Sequence, residues 1–171
     1  MAIDVYLSEE KIKERVIELA NKINKDYAGK EIVVVGVLNG AFMFCADLIR
    51  HINVPVTLDF IAASSYGEET ESSGQVKIEW DLKNEIKGKH ILLVEDIVDT
   101  GLTIKSLKAL LGSREPASIK LASLLFKPAR NIHPVEIDYL AFEIDDKFVI
   151  GYGLDYAGRY RELPYIGIYS E

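Results

Sequence analysis

The stretch Ile91-Leu92-Leu93-Val94-Glu95-Asp96-Ile97-Val98-Asp99-Thr100-Gly101-Leu102-Thr103 decides how this 171-residue chain folds. Four apolar residues, Ile91 to Val94, run straight into Glu95-Asp96, and a third carboxylate follows at Asp99. A short continuous apolar run of this kind marks a strand buried on both faces. The pattern predicts a strand over Ile91–Val94 that delivers acidic groups to its C-terminal end. A small-residue turn through Thr100, Gly101 and Thr103 follows, and then a helix over Ile104–Leu111. In open α/β sheets, ligands sit just outside the carboxyl ends of the strands. The loop's N–H groups and hydroxyls, with the helix N-terminus behind them, suit a phosphate. The carboxylates suit hydroxyl groups or a hard cation. A sugar phosphate carrying a metal ion satisfies all of these features together.

The segments on either side extend the same pattern. Ser8 can cap a helix that opens with Glu9 and Glu10, where the helix dipole favours acids. Ile12, Val16, Leu19, Ala20 and Ile23 then fall on one face at helical spacing. Ile32–Leu38 is β-branched and continuously apolar, so it reads as a second buried strand, and Asn39-Gly40 turns the chain into a helix over Ala41–Ile49. Further strands are expected at Val56–Ala63, Val76–Trp80, Ser118–Phe126, Tyr139–Phe142 and Phe148–Gly151. Residues 64–75 are polar, hold two glycines and lack apolar periodicity, which marks a lid, a binding loop or a disordered segment. Strands alternating with helices favour a mostly parallel sheet with helices on both faces.

Length fits a single domain over residues 1–171, and 49% hydrophobic with 27% charged residues is ordinary for a globular protein. The formal charge of −7 argues against a nucleic-acid binder, which needs a basic face. No apolar run is long enough to cross a bilayer, the N-terminal segment is polar and charged, and a cytoplasmic location is the expectation. Cys45 lies in an apolar stretch and reads as a small core residue. His51, His90 and His133 lack metal-ligand spacing. Neither GxGxxG after a strand nor GxxxxGK[ST] occurs, which argues against other nucleotide-binding enzymes of doubly wound fold.

Glu95–Thr103 resembles the phosphoribosyl-pyrophosphate signature of the type I phosphoribosyltransferases, and Asp99 is similar to the hypoxanthine-guanine branch in particular. Leu38-Asn39-Gly40, Ser65-Tyr66, Lys127 and the block Phe142–Glu162 match that branch in the same order. The resemblance implies a mostly parallel twisted sheet with a core over about residues 30–130. It also implies a small hood built from the N-terminal segment and the C-terminal third. The reaction it implies is transfer of a phosphoribosyl group from 5-phosphoribosyl 1-pyrophosphate to N9 of hypoxanthine or guanine, with xanthine a third candidate base. The products would be IMP or GMP and pyrophosphate, with Mg2+ as cofactor and a homodimer or homotetramer as the assembly.

By the same resemblance, Glu95 and Asp96 bind the ribose diol directly or through magnesium, and Asp99, Thr100, Gly101, Leu102 and Thr103 cradle the 5-phosphate. Adjacent carboxylates suit a vicinal diol, because each accepts hydrogen bonds. Asp99 is the catalytic acid/base facing N7 of the purine; its plain alternative is a helix N-cap or an Asx-turn. Lys127 reads the 6-oxo group, Phe148 stacks on the base, and Val149 offers backbone groups to its edge. Asp155 joins the purine site and binds a second magnesium, so the metal set is Glu95, Asp96 and Asp155. Leu38, Asn39, Gly40 and Arg161 hold pyrophosphate, and Ser65 and Tyr66 open the lid. Many relatives carry Lys or Arg where this chain has Asn39, which shifts the burden of binding pyrophosphate to backbone N–H groups, Arg161 and magnesium. A phosphoribosyl-binding regulator of the same fold without transferase activity is the alternative. Asp99, Lys127, Asp155 and Arg161 standing together argue against it, since a sensor need not keep them.

Overall fold

The computed structural model describes residues 2–65 and 76–170. Strands β1 (Ala2–Leu7), β2 (Ile32–Leu38), β3 (Val56–Ser65), β4 (Val76–Trp80) and β5 (His90–Val98) are followed by β6 (Ser118–Phe126), β7 (Tyr139–Glu143), β8 (Val149–Ile150) and β9 (Ile166–Ser170). The helices are α1 (Glu9–Asp26), α2 (Phe42–Ile49) and α3 (Leu102–Gly112), with a 3₁₀ turn at Pro128–Arg130.

Six strands form one sheet in the order β4-β3-β2-β5-β6-β7. Its pairings are parallel except for β3 with β4 at one edge. The apolar runs noted above fill both faces. Val34, Leu92, Val94 and Leu124 pack with α1 and α2 through Leu19, Ile23 and Phe44. Val33, Val35, Ile91 and Leu93 pack with α3 through Ile104, Leu107 and Leu111. Alternate residues of a strand point to opposite faces, so two covered faces require an unbroken apolar sequence. Each side chain of this size taken out of water contributes about 1.5–3 kcal/mol. Helix α1 starts as its sequence predicts, with Ser8 Oγ accepting from Lys11 N at 3.2 Å, a cap worth about 1 kcal/mol.

The structure corrects the boundaries around the opening stretch. Strand β5 does not stop at Val94 but runs to Val98. Its pairing with β2 ends at Gly36–Val94, whereas pairing with β6 continues through Glu95–Ser123 to Val98–Phe126. Polar residues that looked like the strand's exit therefore stand inside it, held from one side only. The helix that follows begins two residues earlier than expected, at Leu102.

Both ends of the chain meet in a separate antiparallel sheet, β1-β9-β8. Neither β1 nor β9 was expected as a strand. β1 is largely exposed and carries Asp4, and β9 contains Gly167, so neither shows a clean apolar alternation. Their pairing, from Ala2–Ser170 to Val5–Gly167, is a tertiary contact across the whole chain. Among the described residues, no helix is long and apolar enough to cross a membrane.

Candidate active site

Strands β2 and β5 are neighbours in the sheet, yet the helices that follow them depart to opposite faces. A parallel sheet opens a crevice at such a switch point. Here the crevice has a volume of about 260 Å3, lined by Leu38, Asn39 and Gly40 from the end of β2 and by Glu95, Asp96, Asp99, Thr100, Gly101 and Thr103 from β5 and its loop.

Glu95 is only 6% exposed. Burial, and then the Asp96 charge beside it, raise its carboxyl well above the usual carboxylate range. Its Oε1 accepts from Asp96 N at 2.9 Å, and Asp96 Oδ1 accepts in turn from Ile97 N at 2.6 Å. Both side chains are thus fixed by local backbone before any ligand arrives. Asp96 also lies directly over Gly40, where an added methyl group would collide with its carboxylate. Gly153, at φ +98°, closes on the other side: a Cβ there would strike the Gly40 carbonyl oxygen. The two glycines allow three segments to meet at the crevice floor. The Leu38–Asn39 peptide beside them is cis.

Gly101 adopts φ +91° and forms the N-cap of α3 without a side-chain cap. The first N–H groups of that helix are therefore directed into the loop, with only a long 3.4 Å contact from Leu102 N to Thr100 Oγ1. Residues 131–133 support the loop from behind: Ile132 N and His133 N both donate to Thr100 O, at 3.0 and 2.8 Å. An anion cradle of donor N–H groups results, its curvature held by a neighbouring segment.

Asp99 is not the helix cap. Its Oδ1 is buried without a directed hydrogen bond, although Arg130 Nε lies 3.0 Å away. Both observations hold together when the guanidinium approaches off the N–H axis, leaving charge attraction without an aligned bond. Lys127, 7% exposed, directly follows β6, and its Nζ stands 3.7 Å from Asp146 Oδ1. That same oxygen is 4.0 Å from Arg130 Nη1. Arg130 and Asp146 were missed in the sequence, and a signal was present. Pro128 sets a 3₁₀ turn in which residues three apart eclipse, which puts Arg130 beside Lys127.

The expected residues Phe148, Val149, Asp155 and Arg161 lie in the C-terminal third, outside the crevice lining, and Leu102, at the start of α3, is likewise not part of that lining. Phe148 is 52% exposed and meets Tyr156 and Tyr169 edge-on, with centroids 5.7 and 6.3 Å away. Val149 is buried in β8, paired with Ile168. Asp155 Oδ2 accepts from Gly158 N at 2.9 Å, and its Oδ1 lies 3.4 Å from Arg161 Nη2. Arg161 Nη1 donates to Gly153 O at 2.6 Å, so the arginine is tied to the glycine that seats against Gly40. Asp155 does not join Glu95 and Asp96. Among the described residues, no three groups of metal-ligating type cluster. Ser65 ends β3, its backbone alone being described, and Tyr66 with the rest of the expected lid lies outside the described residues.

Parallel sheet, switch-point crevice, paired carboxylates and a donor-rich loop define a protein that binds a phosphorylated sugar. Comparison with known proteins agrees and narrows the class. The family model described as phosphoribosyl transferase domain matches residues 3–157. A hypoxanthine phosphoribosyltransferase of Haemophilus influenzae is 48% identical over 168 residues, covering 96% of this chain and 94% of the relative. A hypoxanthine-guanine phosphoribosyltransferase of Streptococcus pneumoniae is 46% identical, covering 98% and 93%. The crystal structure of a hypoxanthine-guanine phosphoribosyltransferase from Bacillus anthracis superposes with a TM-score of 0.95 at 47% identity, covering 98% of both chains. The chain belongs to the phosphoribosyltransferase family. Within it, the likeness is to the hypoxanthine and hypoxanthine-guanine enzymes and spans nearly the full length.

Proposed function

We infer that this chain is a purine salvage enzyme. It transfers the phosphoribosyl group of 5-phosphoribosyl 1-pyrophosphate to N9 of hypoxanthine or guanine, releasing pyrophosphate. The observation that carries the reading is the crevice itself. It joins two fixed carboxylates, an anion cradle and the Leu38–Gly40 turn within one volume.

In this reading Thr100–Thr103 take the 5-phosphate and Glu95 and Asp96 take the ribose diol. Leu38–Gly40 and Arg161 hold the pyrophosphate as the bond to C1 breaks. As C1 acquires oxocarbenium character it is captured by N9, and the base's N–H proton passes to Asp99. Supporting this role is the place of Asp99 in the crevice lining, with the Arg130 guanidinium 3.0 Å from its Oδ1 as a charge partner. Lys127 selects a 6-oxo base because an ammonium offers donors to a keto oxygen and repels the donor edge of an amino group. Phe148 provides an exposed ring for stacking.

Magnesium fits this donor set. The ion keeps several waters and takes one or two carboxylates together with substrate phosphates, rather than a closed protein cage. Glu95 and Asp96 are such a pair; Asp155 is already engaged with Arg161 and would have to share. When bound, the cation would offset the growing charge on the leaving pyrophosphate. A single domain, a cytosolic location and a dimeric or tetrameric assembly complete the proposal.

Initial rates with hypoxanthine, guanine, xanthine and adenine, each with magnesium and with chelator, test it. Transfer to the 6-oxopurines that chelator abolishes is the expected result. Comparable use of adenine, or indifference to chelator, would overturn it.

A further inference from the structure

A buried ammonium needs a counter-charge, and Lys127 has one carboxylate within 4 Å among the described residues: Asp146, at 3.7 Å. That separation is too long for a direct hydrogen bond. Lys127 is therefore held electrostatically while its three N–H donors stay available. Asp146 itself is presented by a tight turn, in which Lys147 N donates to Asp145 O at 2.8 Å. Its Oδ1 also faces Arg130 Nη1 at 4.0 Å, and Arg130 Nε faces Asp99 Oδ1 at 3.0 Å. Four charges alternate in sign along one line, Lys127, Asp146, Arg130, Asp99. The two ends are the groups assigned above to the base.

We propose that Asp146 is a positioning residue for purine recognition: it holds the Lys127 ammonium toward the 6-oxo group. This rests on the assignment of Lys127 to the base. Arg130 has one fork and two carboxylates to satisfy. Arg130 already sits on Asp99, its Nε 3.0 Å from Oδ1, so Asp146 at 4.0 Å is the looser of its two partners and remains free to serve Lys127. With Asp146 neutralised, Lys127 would lose the restraint that points it.

The effect should fall on the base and not on the sugar donor. Asp146 and Arg130 are about half exposed, at 53% and 49% for their side chains, so their pair adds little to folding stability. The substitution Asp146→Asn is expected to raise the KM for hypoxanthine about tenfold, the share of one charge-assisted contact. The KM for 5-phosphoribosyl 1-pyrophosphate and the melting temperature should stay unchanged. Asp146→Glu, which keeps the charge on a longer stem, should recover most of the loss. In a Lys127→Gln background, Asp146→Asn should change the hypoxanthine KM far less than it does alone, because the group it positions is gone.

Three results would overturn the proposal. One is a D146N enzyme with unchanged hypoxanthine KM while K127Q raises it; that removes Asp146 and leaves the lysine's assignment standing. Another is full additivity of D146N and K127Q, which makes the two residues independent. The third is an unchanged hypoxanthine KM in K127Q, which removes the underlying reading together with the proposal.

Discussion

Gly40→Ala is the sharpest test of how the crevice floor is built. The added methyl would occupy the space of the Asp96 carboxylate. Asp96 cannot yield freely, because its other oxygen accepts from Ile97 N at 2.6 Å. Either that bond breaks and the carboxylate swings away, or the Leu38–Gly40 turn shifts off the crevice. The loss of one hydrogen bond of this kind costs about 1 kcal/mol of folding stability, or about 2–4 °C in melting temperature for a chain of this size. Function should suffer more. A hydrogen bond from a sugar hydroxyl to a carboxylate is worth about 1.5–3 kcal/mol, so losing one lowers kcat/KM for the donor by about 10- to 150-fold. Steady-state kinetics with varied 5-phosphoribosyl 1-pyrophosphate, alongside thermal melting, reads both quantities. Gly112→Ala serves as the control: it ends α3 with no atom within 4 Å of its added methyl, so it should leave donor kinetics alone. A folded Gly40→Ala enzyme with wild-type kcat/KM for the donor would refute the assignment of Asp96 to the sugar.

Other consequences are as direct. Asp99→Asn should cut kcat by about a hundredfold or more while melting within a few degrees of wild type; unchanged turnover would remove Asp99 from proton transfer. Glu95→Gln should weaken donor use yet stabilise the free protein. The folded carboxyl titrates well above its ordinary 4.5, so its contribution is complete below that pH and is lost as pH rises through the raised value. The melting-temperature gap between E95Q and wild type should therefore widen from pH 5 to pH 8, and a constant gap would contradict the reading. At alkaline pH, burial pushes Tyr27 up to about 12, and burial together with hydrogen bonds to Asp26 and Asp47 pushes Tyr139 and Tyr152 up as well. Folded tyrosines that hold their protons give stability that is full below pH 10 and falls as pH rises toward 12, by at most about 1.4 kcal/mol per pH unit for each group. Denaturant melts at pH 9, 10 and 11 should show this loss, reduced in Tyr152→Phe.

Local rules carried the sequence reading furthest where one element dictates its own shape. Ile32–Leu38 and Val76–Trp80 fold within the limits read from their residues, and α1 begins at the Ser8 cap. The crevice loop was legible too, because strand, carboxylates, small residues and helix follow one another in the chain. What escaped the sequence depends on distant partners. Residues 95–98 remain in β5 only because β6 continues beside them. Strands β1 and β9 exist as a pair or not at all, separated by most of the chain. Asp99 had a helix N-cap or an Asx-turn as its plain alternative, and the structure gives the cap to Gly101 and brings Arg130 from beyond β6 to Asp99. The packing of Gly153 on Gly40 has no local signature, since either glycine alone reads as an ordinary turn residue.

Catalysis is what separates an enzyme from a protein that binds a phosphoribosyl ligand without turnover. The measurement that tests it most directly is product formation from hypoxanthine, 5-phosphoribosyl 1-pyrophosphate and magnesium, quantifying nucleoside monophosphate and pyrophosphate together. The two products are expected in equal amounts over many turnovers. Tight donor binding with no monophosphate formed from hypoxanthine or guanine would contradict it and leave a sensor in place of an enzyme.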